Sequence, residues 1–157
     1  MAFLIRPATA ADAAFLFMLR TDPDVVATSN TEAPLDLEQH LIWLEALVTR
    51  DDRILFIIEI GPGPVALSVG MCRLDICDYG RYAEVSIALV KALRGKGLGT
   101  AVLREVARRA TEKYRLGWLE AVIKESNTAS RRAFLNAGYT VEEIKDGLVR
   151  VAKYLGQ

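Results

Sequence analysis

Seven consecutive residues, Arg94-Gly95-Lys96-Gly97-Leu98-Gly99-Thr100, combine the residue types that hold a polyanion. Three alternating glycines let a backbone approach a ligand without interference from Cβ atoms. Apolar spacing at Leu98, Val102, Val106 and Ala110 predicts a helix from Gly97 to about Lys113. The first N–H groups of such a helix have no internal partners, and they point at whatever lies at its start. The helix dipole favours an anion there. Arg94 and Lys96 add positive charge. The chemistry expected is the binding of a pyrophosphate through backbone donors.

Two better-known phosphate motifs fit poorly. A dinucleotide fingerprint requires a third glycine where Thr100 stands, and it belongs to the first strand of a parallel βαβ unit. Glu120 lies at a suitable distance for a ribose ligand, but within a strand and not at its end. A P-loop requires Gly-Lys-Ser/Thr four residues after its first glycine, which is absent here. A glycine turn with no ligand leaves the flanking cations unexplained.

The elements that must position this segment are legible from periodicity. Phe3 to Arg6 reads as a strand stopped by Pro7, and Thr9 caps a helix over about Ala10 to Arg20. Asp22-Pro23-Asp24 interrupts that helix. Thr28 to Pro34 reads as a polar loop, with a short turn at Val25-Val26. Asp36 caps a second helix with its stripe at His40, Leu41, Leu44, Leu47 and Val48. Ile54–Ile60, Val65–Ile76 and Tyr82–Val90 read as three strands of a meander, turned at Gly61-Pro62-Gly63-Pro64 and at Asp78-Tyr79-Gly80-Arg81. After the glycine-rich helix come a strand at Trp118–Ile123, a helix at Ser126–Asn136 ended by Gly138, and two strands joined at Asp146-Gly147. The expected fold is α/β in the α+β sense, a single domain over residues 1–157. Its mixed, mostly antiparallel sheet of about seven strands is flanked by helices.

With these elements in order, Arg94-Gly95-Lys96-Gly97-Leu98-Gly99 resembles the Arg/Gln-x-x-Gly-x-Gly/Ala signature of the GNAT superfamily of acyl-CoA-dependent N-acyltransferases. Asn127, Ser130, Phe134 and Gly138-Tyr139 supply a second match downstream. The resemblance spans the whole chain in element order and is most specific between Tyr82 and Tyr139. It implies acetyl-CoA as co-substrate, lying in a V between two parallel strands that splay apart, here Tyr82–Val90 and Trp118–Ile123. The backbone around Ile87, Ala88 and Leu89 would pair with the pantetheine amides. Residues Arg94 to Thr100 would hold the pyrophosphate, and Asn127, Ser130 and Phe134 would face the cofactor. The amine attacks the thioester directly. No Ser-elbow exists, and neither cysteine adjoins the single histidine in sequence, so a covalent route lacks a nucleophile.

Glu84 is the expected base, three residues before Ile87 on one strand, about 10 Å along the backbone. That distance leaves room for an amine and a bridging water. Its other reading is an ordinary solvent-facing residue. Many relatives carry a tyrosine where Phe134 stands, which leaves the general acid open; a thiol of pKa about 8.5 is a tolerable leaving anion. Tyr139 reads as a core aromatic.

The amine is expected against the N-terminal helices, near Ser29, Asn30, His40 and Trp43. His40 and Trp43 share a helix face, either as substrate contacts or as core. The segment from Leu19 to Val25 with His40-x-x-Trp43 resembles a GNAT subgroup that acetylates nucleotide-linked amino sugars, and ribosomal-protein N-terminal acetyltransferases open similarly. A peptide N-terminus and a non-catalytic acyl-CoA sensor are the alternatives to a small-molecule amine.

Bulk composition narrows the partners. The 157 residues are 52% hydrophobic with a formal net charge of +0, so a packed globule is expected, without the basic excess of a nucleic-acid binder. Cys72 and Cys77 lie at odd spacing on one strand, hence on opposite faces, and both are expected in the core with no disulfide. With one histidine, no metal site is expected. The opening residues are too soon charged for a secretory signal, and no stretch offers the roughly eighteen apolar residues of a spanning helix. A cytoplasmic protein with no membrane partner is expected, with a homodimer as an admissible assembly.

Overall fold

The computed structural model describes residues 2–29 and 36–156. Its frame is one seven-stranded sheet in the order β1-β2-β3-β4-β5-β7-β6. The strands are β1 (Phe3–Pro7), β2 (Arg53–Ile60), β3 (Leu67–Cys77), β4 (Tyr82–Leu89), β5 (Trp118–Lys124), β6 (Thr140–Lys145) and β7 (Leu148–Tyr154). The helices are α1 (Ala13–Thr21), α2 (Pro23–Thr28), α3 (Leu37–Val48), α4 (Leu98–Glu112) and α5 (Thr128–Asn136). Every strand pair is antiparallel except β4 with β5. The expected mixed sheet flanked by helices is therefore present.

Strand periodicity divides the core in two. Ala83, Val85, Leu119, Ala121, Val149 and Val151 point to one face and pack against Val102, Val106 and Ala110 of α4 and Phe134 of α5. Leu55, Ile57 and Met71 point to the other face and meet Leu16 and Leu19 of α1 and Leu44 and Leu47 of α3. Burying these side chains on both faces supplies the main driving force for the fold. At Gly70 the strands approach so closely that a Cβ would stand 2.6 Å from the Ala88 carbonyl oxygen.

Local signals set the ends. Thr9 accepts from the Ala11 N–H, and Asp12 accepts from the Thr9 N–H in return, a capping box. Asp36 accepts from the Gln39 N–H. The β6–β7 hairpin turns through Asp146 and Gly147 with φ of 54° and 77°, as its dipeptide requires.

Several expectations need correction. Residues Ala10–Asp12 form a 3-10 turn, so α1 proper begins at Ala13. Val65 belongs to a 3-10 turn and not to β3. Val25 and Val26 lie within α2, because Asp22 caps the N–H groups of Asp24 and Val25 and Pro23 takes the first helical position. Cys72 is buried as expected, with burial pushing its thiol up to about 12. Cys77 is only half-buried at a strand end, where its thiol donates to the Asp75 carbonyl.

Candidate active site

β4 and β5 pair at Tyr82, Ala83 and Glu84, opposite Trp118, Leu119 and Glu120, and then separate. Val90 N–H still donates to the Val69 carbonyl at 2.8 Å. Alternation along this antiparallel pair turns the backbone groups of Ser86 and Ala88 toward β3 and those of Ile87 and Leu89 into the opening. The V expected from the sequence is thus present, faced on its β4 side by the backbone groups of Ile87 and the Leu89 N–H, while the Leu89 carbonyl accepts from Arg94 Nε. A cavity of about 630 Å³ fills it.

Gly95, Gly97, Gly99 and Thr100 line one end of this cavity. Gly95 and Gly97 take φ of 72° and 83°, which a side chain rarely tolerates. Gly99 serves a different purpose: a Cβ there would lie 3.5 Å from that of Ala133, where α4 and α5 touch. The first internal bond of α4 runs from Ala101 N–H to the Gly97 carbonyl. The N–H groups of Leu98, Gly99 and Thr100 therefore have no partner in the preceding turn. Leu98 sends its side chain into the core, 3% exposed. Neither Leu98 nor Lys96 lines the cavity.

Arg94 lines the cavity, but its charge is already engaged. Its guanidinium reaches Asp24 at 3.0 Å and Asp22 at 3.5 Å, and its Nε donates to the Leu89 carbonyl at 3.0 Å. Lys124 at the end of β5 donates to the Ala27 carbonyl at 2.9 Å. α2 is thereby tied at one end to the glycine loop and at the other to the far arm of the V.

α5 forms the remaining wall through Asn127, Ser130 and Phe134. Asn127 Oδ1 accepts from the Ser130 N–H at 3.2 Å, so this side chain caps the helix as well. Phe134 is buried and stands edge-on to Tyr139, with centroids 4.9 Å apart. Tyr139 is itself in the core, and burial pushes its hydroxyl far above the ordinary phenol value.

At the other end the cavity is lined by Leu19, Arg20, Ser29, Met71, Arg73 and Ser86. Ser29 is thus placed as expected, while Asn30 lies outside the described residues. His40 is 1% exposed and does not line the cavity. Its ring stacks on Trp43 at 5.3 Å. Burial lowers its pKa and the Arg20 charge lowers it further, so it is no cation for a phosphate. Trp43 also stays off the cavity wall, but its ring carries the Arg20 guanidinium at 4.7 Å. Glu84 is exposed, shares a strand face with Ser86 two residues on, and stands beside Asp75 and Glu120 in register. It is adjacent to the cavity and does not line it.

A family model described as Acetyltransferase (GNAT) domain matches residues 3–140. The chain belongs to the GNAT acetyltransferase family. No curated protein sequence gives a significant match. Among solved structures, spermidine N-acetyltransferase from Vibrio cholerae, in complex with CoA and spermine, superposes with a TM-score of 0.87 at 14% identity, over 98% of this chain and 95% of that one. The aminoglycoside acetyltransferase AAC(6')-Ib with coenzyme A gives 0.80 at 15% identity, over 98% and 95%. A domain from Methanocaldococcus jannaschii gives 0.82 at 20% identity, over 98% and 99%.

Several residues of this GNAT cavity escaped the sequence reading. Ser86 and Arg73 are cross-strand partners, and only the β3–β4 register brings them to one face. Asp24 was readable as an acidic residue in the first turn of a helix, once Asp22-Pro23 is taken as a start signal as well as a stop. Arg20 lies in the Leu19–Val25 segment already singled out, but only the packing of α1 brings it to the cavity wall.

Proposed function

We propose that this GNAT chain transfers an acetyl group from acetyl-CoA to the primary amine of a small molecule. The observation that carries the proposal is a single cavity between splayed β4 and β5, with a glycine-rich helix start at one end and side chains of α1, α2 and β3 at the other. The N–H groups of residues 95 to 100 would receive the pyrophosphate. Ile87 and Leu89 would pair through their backbones with the pantetheine amides, as an added strand does. The methyl of Ala88, with Asn127, Ser130 and Phe134, would enclose the arm. Bound acetyl-CoA supplies an activated acyl group; the chain aligns it with the amine.

Glu84 is the base in this reading. It relays the amine proton through water from its place beside Ser86. The thiolate leaves as an anion, since Phe134 carries no hydroxyl and Tyr139 is in the core. An amine on a sugar, nucleotide-linked sugars included, is the acceptor suggested by the sequence, and Ser29 at the acceptor end can hydrogen-bond a hydroxyl. The spermine and aminoglycosides of the two enzyme neighbours support a small amine. A cytoplasmic setting, where acetyl-CoA is supplied, suits the reaction.

The test is release of free CoA thiol from acetyl-CoA across amino sugars, their nucleotide conjugates, other small amines and short peptides. Turnover with a small amine is expected. Acetyl-CoA binding without release from any amine would favour a sensor, and turnover on peptides alone would move the acceptor to a protein N-terminus.

A further inference from the structure

The charged side chains on the described wall of the cavity are Arg20, Asp24, Arg73, Arg94 and Arg132. All but one are already engaged. Arg94 is paired with Asp24 at 3.0 Å, Arg73 with Asp75 at 3.1 Å, and Arg20 lies over the Trp43 ring. Arg132 is exposed, and its guanidinium has no hydrogen bond or ion pair among the described residues.

The place of Arg132 follows from the docking of α5 on α4. Ala129, Arg132, Ala133 and Asn136 line the cavity at helical spacing, so one face of α5 forms this wall. That face is fixed against α4 on either side of Arg132. A Cβ at Gly99 would lie 3.5 Å from that of Ala133, and Arg104 donates to the Asn136 carbonyl at 2.9 Å. Arg132 adjoins Ala133 and lies one turn before Asn136. It therefore stands beside the first turn of α4, at the rim of the cavity. Lys96, a cation of the glycine loop itself, is off the wall.

The bare N–H groups at the start of α4 give a pyrophosphate a seat that uses no side-chain charge. The pantetheine arm of CoA is neutral. CoA carries one more anion, the phosphate on the 3' oxygen of its ribose, at the end remote from the thiol. We propose that Arg132 is a specificity-determining residue for the cofactor: its guanidinium takes this 3'-phosphate, so that the chain distinguishes CoA from its 3'-dephospho form. The planar fork of N–H donors matches phosphate oxygens. An arginine with no carboxylate beside it has no partner to give up on receiving them. The assignment rests on the reading of the cavity as an acetyl-CoA site.

Calorimetry that compares CoA with 3'-dephospho-CoA tests it, because the second molecule keeps the pyrophosphate and the pantetheine. CoA should bind the parent protein about tenfold tighter, the scale of a hydrogen bond to a charged group. Arg132→Gln should reduce that ratio to about twofold or less by weakening CoA alone, with a melting curve that shows the fold intact. Arg132→Lys should keep part of the ratio, since the charge stays and the fork is lost. Equal affinities in the parent overturn the subsite and leave the cofactor reading standing. So does a ratio that Arg132→Gln leaves unchanged. A loss equal for both molecules does the same, by placing Arg132 on the pyrophosphate. Binding of neither molecule to the parent overturns the cofactor reading, and the subsite with it.

Discussion

Glu84 stands between two carboxylates, Asp75 and Glu120, and beside Ser86 at the edge of the cavity. Glu84→Gln is expected to lower turnover by about 10²-fold or more at neutral pH, the usual scale for a general base. The Michaelis constant for acetyl-CoA should barely move, and the loss should shrink at high pH, where the amine is already neutral. Wild-type turnover in the variant at pH about 7 would pass the role to water. Phe134 tests the other proton. Phe134→Leu should keep substantial activity, and Phe134→Tyr should gain little if the thiolate already leaves as an anion; a large gain would show that protonation of the leaving group limits the rate. His40 shows where residue-level reading stops. Its spacing from Trp43 indicated a shared helix face, and the two rings do stack, but periodicity does not say whether a face meets core or cavity. The structure puts this one in the core, where burial holds the imidazole neutral. The unfolded chain takes up the proton near about pH 6.5 and the folded chain does so only lower. His40 therefore adds stability above that pH and loses it as the pH falls below. Melting scans from about pH 8 to 5 should show a shallower loss in His40→Phe than in the parent; equal slopes would contradict the assignment.

At the scale of elements, the glycine loop was legible because its signal is local. Glycine at 95 and 97 permits the positive φ found there, and the bare first turn of α4 follows from where the helix starts. Nothing lies within 4 Å of a Cβ built at Gly97, so a substitution there acts through backbone conformation and the ligand's path, and not by a clash with the protein. Gly97→Val should weaken acetyl-CoA binding strongly, while Lys96→Ala, off the cavity wall, should cost little. Calorimetry that finds full affinity in Gly97→Val with the fold intact would remove the pyrophosphate from this loop. α2 was harder to read. Six residues hold too few turns for a periodic signal, and the Asp-Pro pair that starts it also ends α1. Its tethers to Arg94 and Lys124 join residues roughly 70 and 97 positions apart, a separation on which local patterning is silent.

For the molecule as a whole, the strand number and a mixed sheet flanked by helices were readable, because the apolar runs of β2 to β4 and the stripe on α4 need helices to cover the sheet. The lining of the cavity away from the glycine loop was not. Arg20, Arg73 and Ser86 come to the wall of one cavity only through strand register and helix docking. The same architecture leaves the sheet one strand short where β4 and β5 part. Ile87 and Leu89 turn their amides into that gap, and a strand edge without a partner exchanges its hydrogens readily. In deuterated buffer these two amides should exchange rapidly in the free protein and slowly once CoA is added, while Ser86 and Ala88, bonded to β3, stay slow in both states. Unchanged exchange at Ile87 and Leu89 under saturating CoA would mean that the cofactor does not complete the sheet. If it does, isotope exchange at two backbone positions becomes a gauge of cofactor occupancy that needs no acceptor and no turnover.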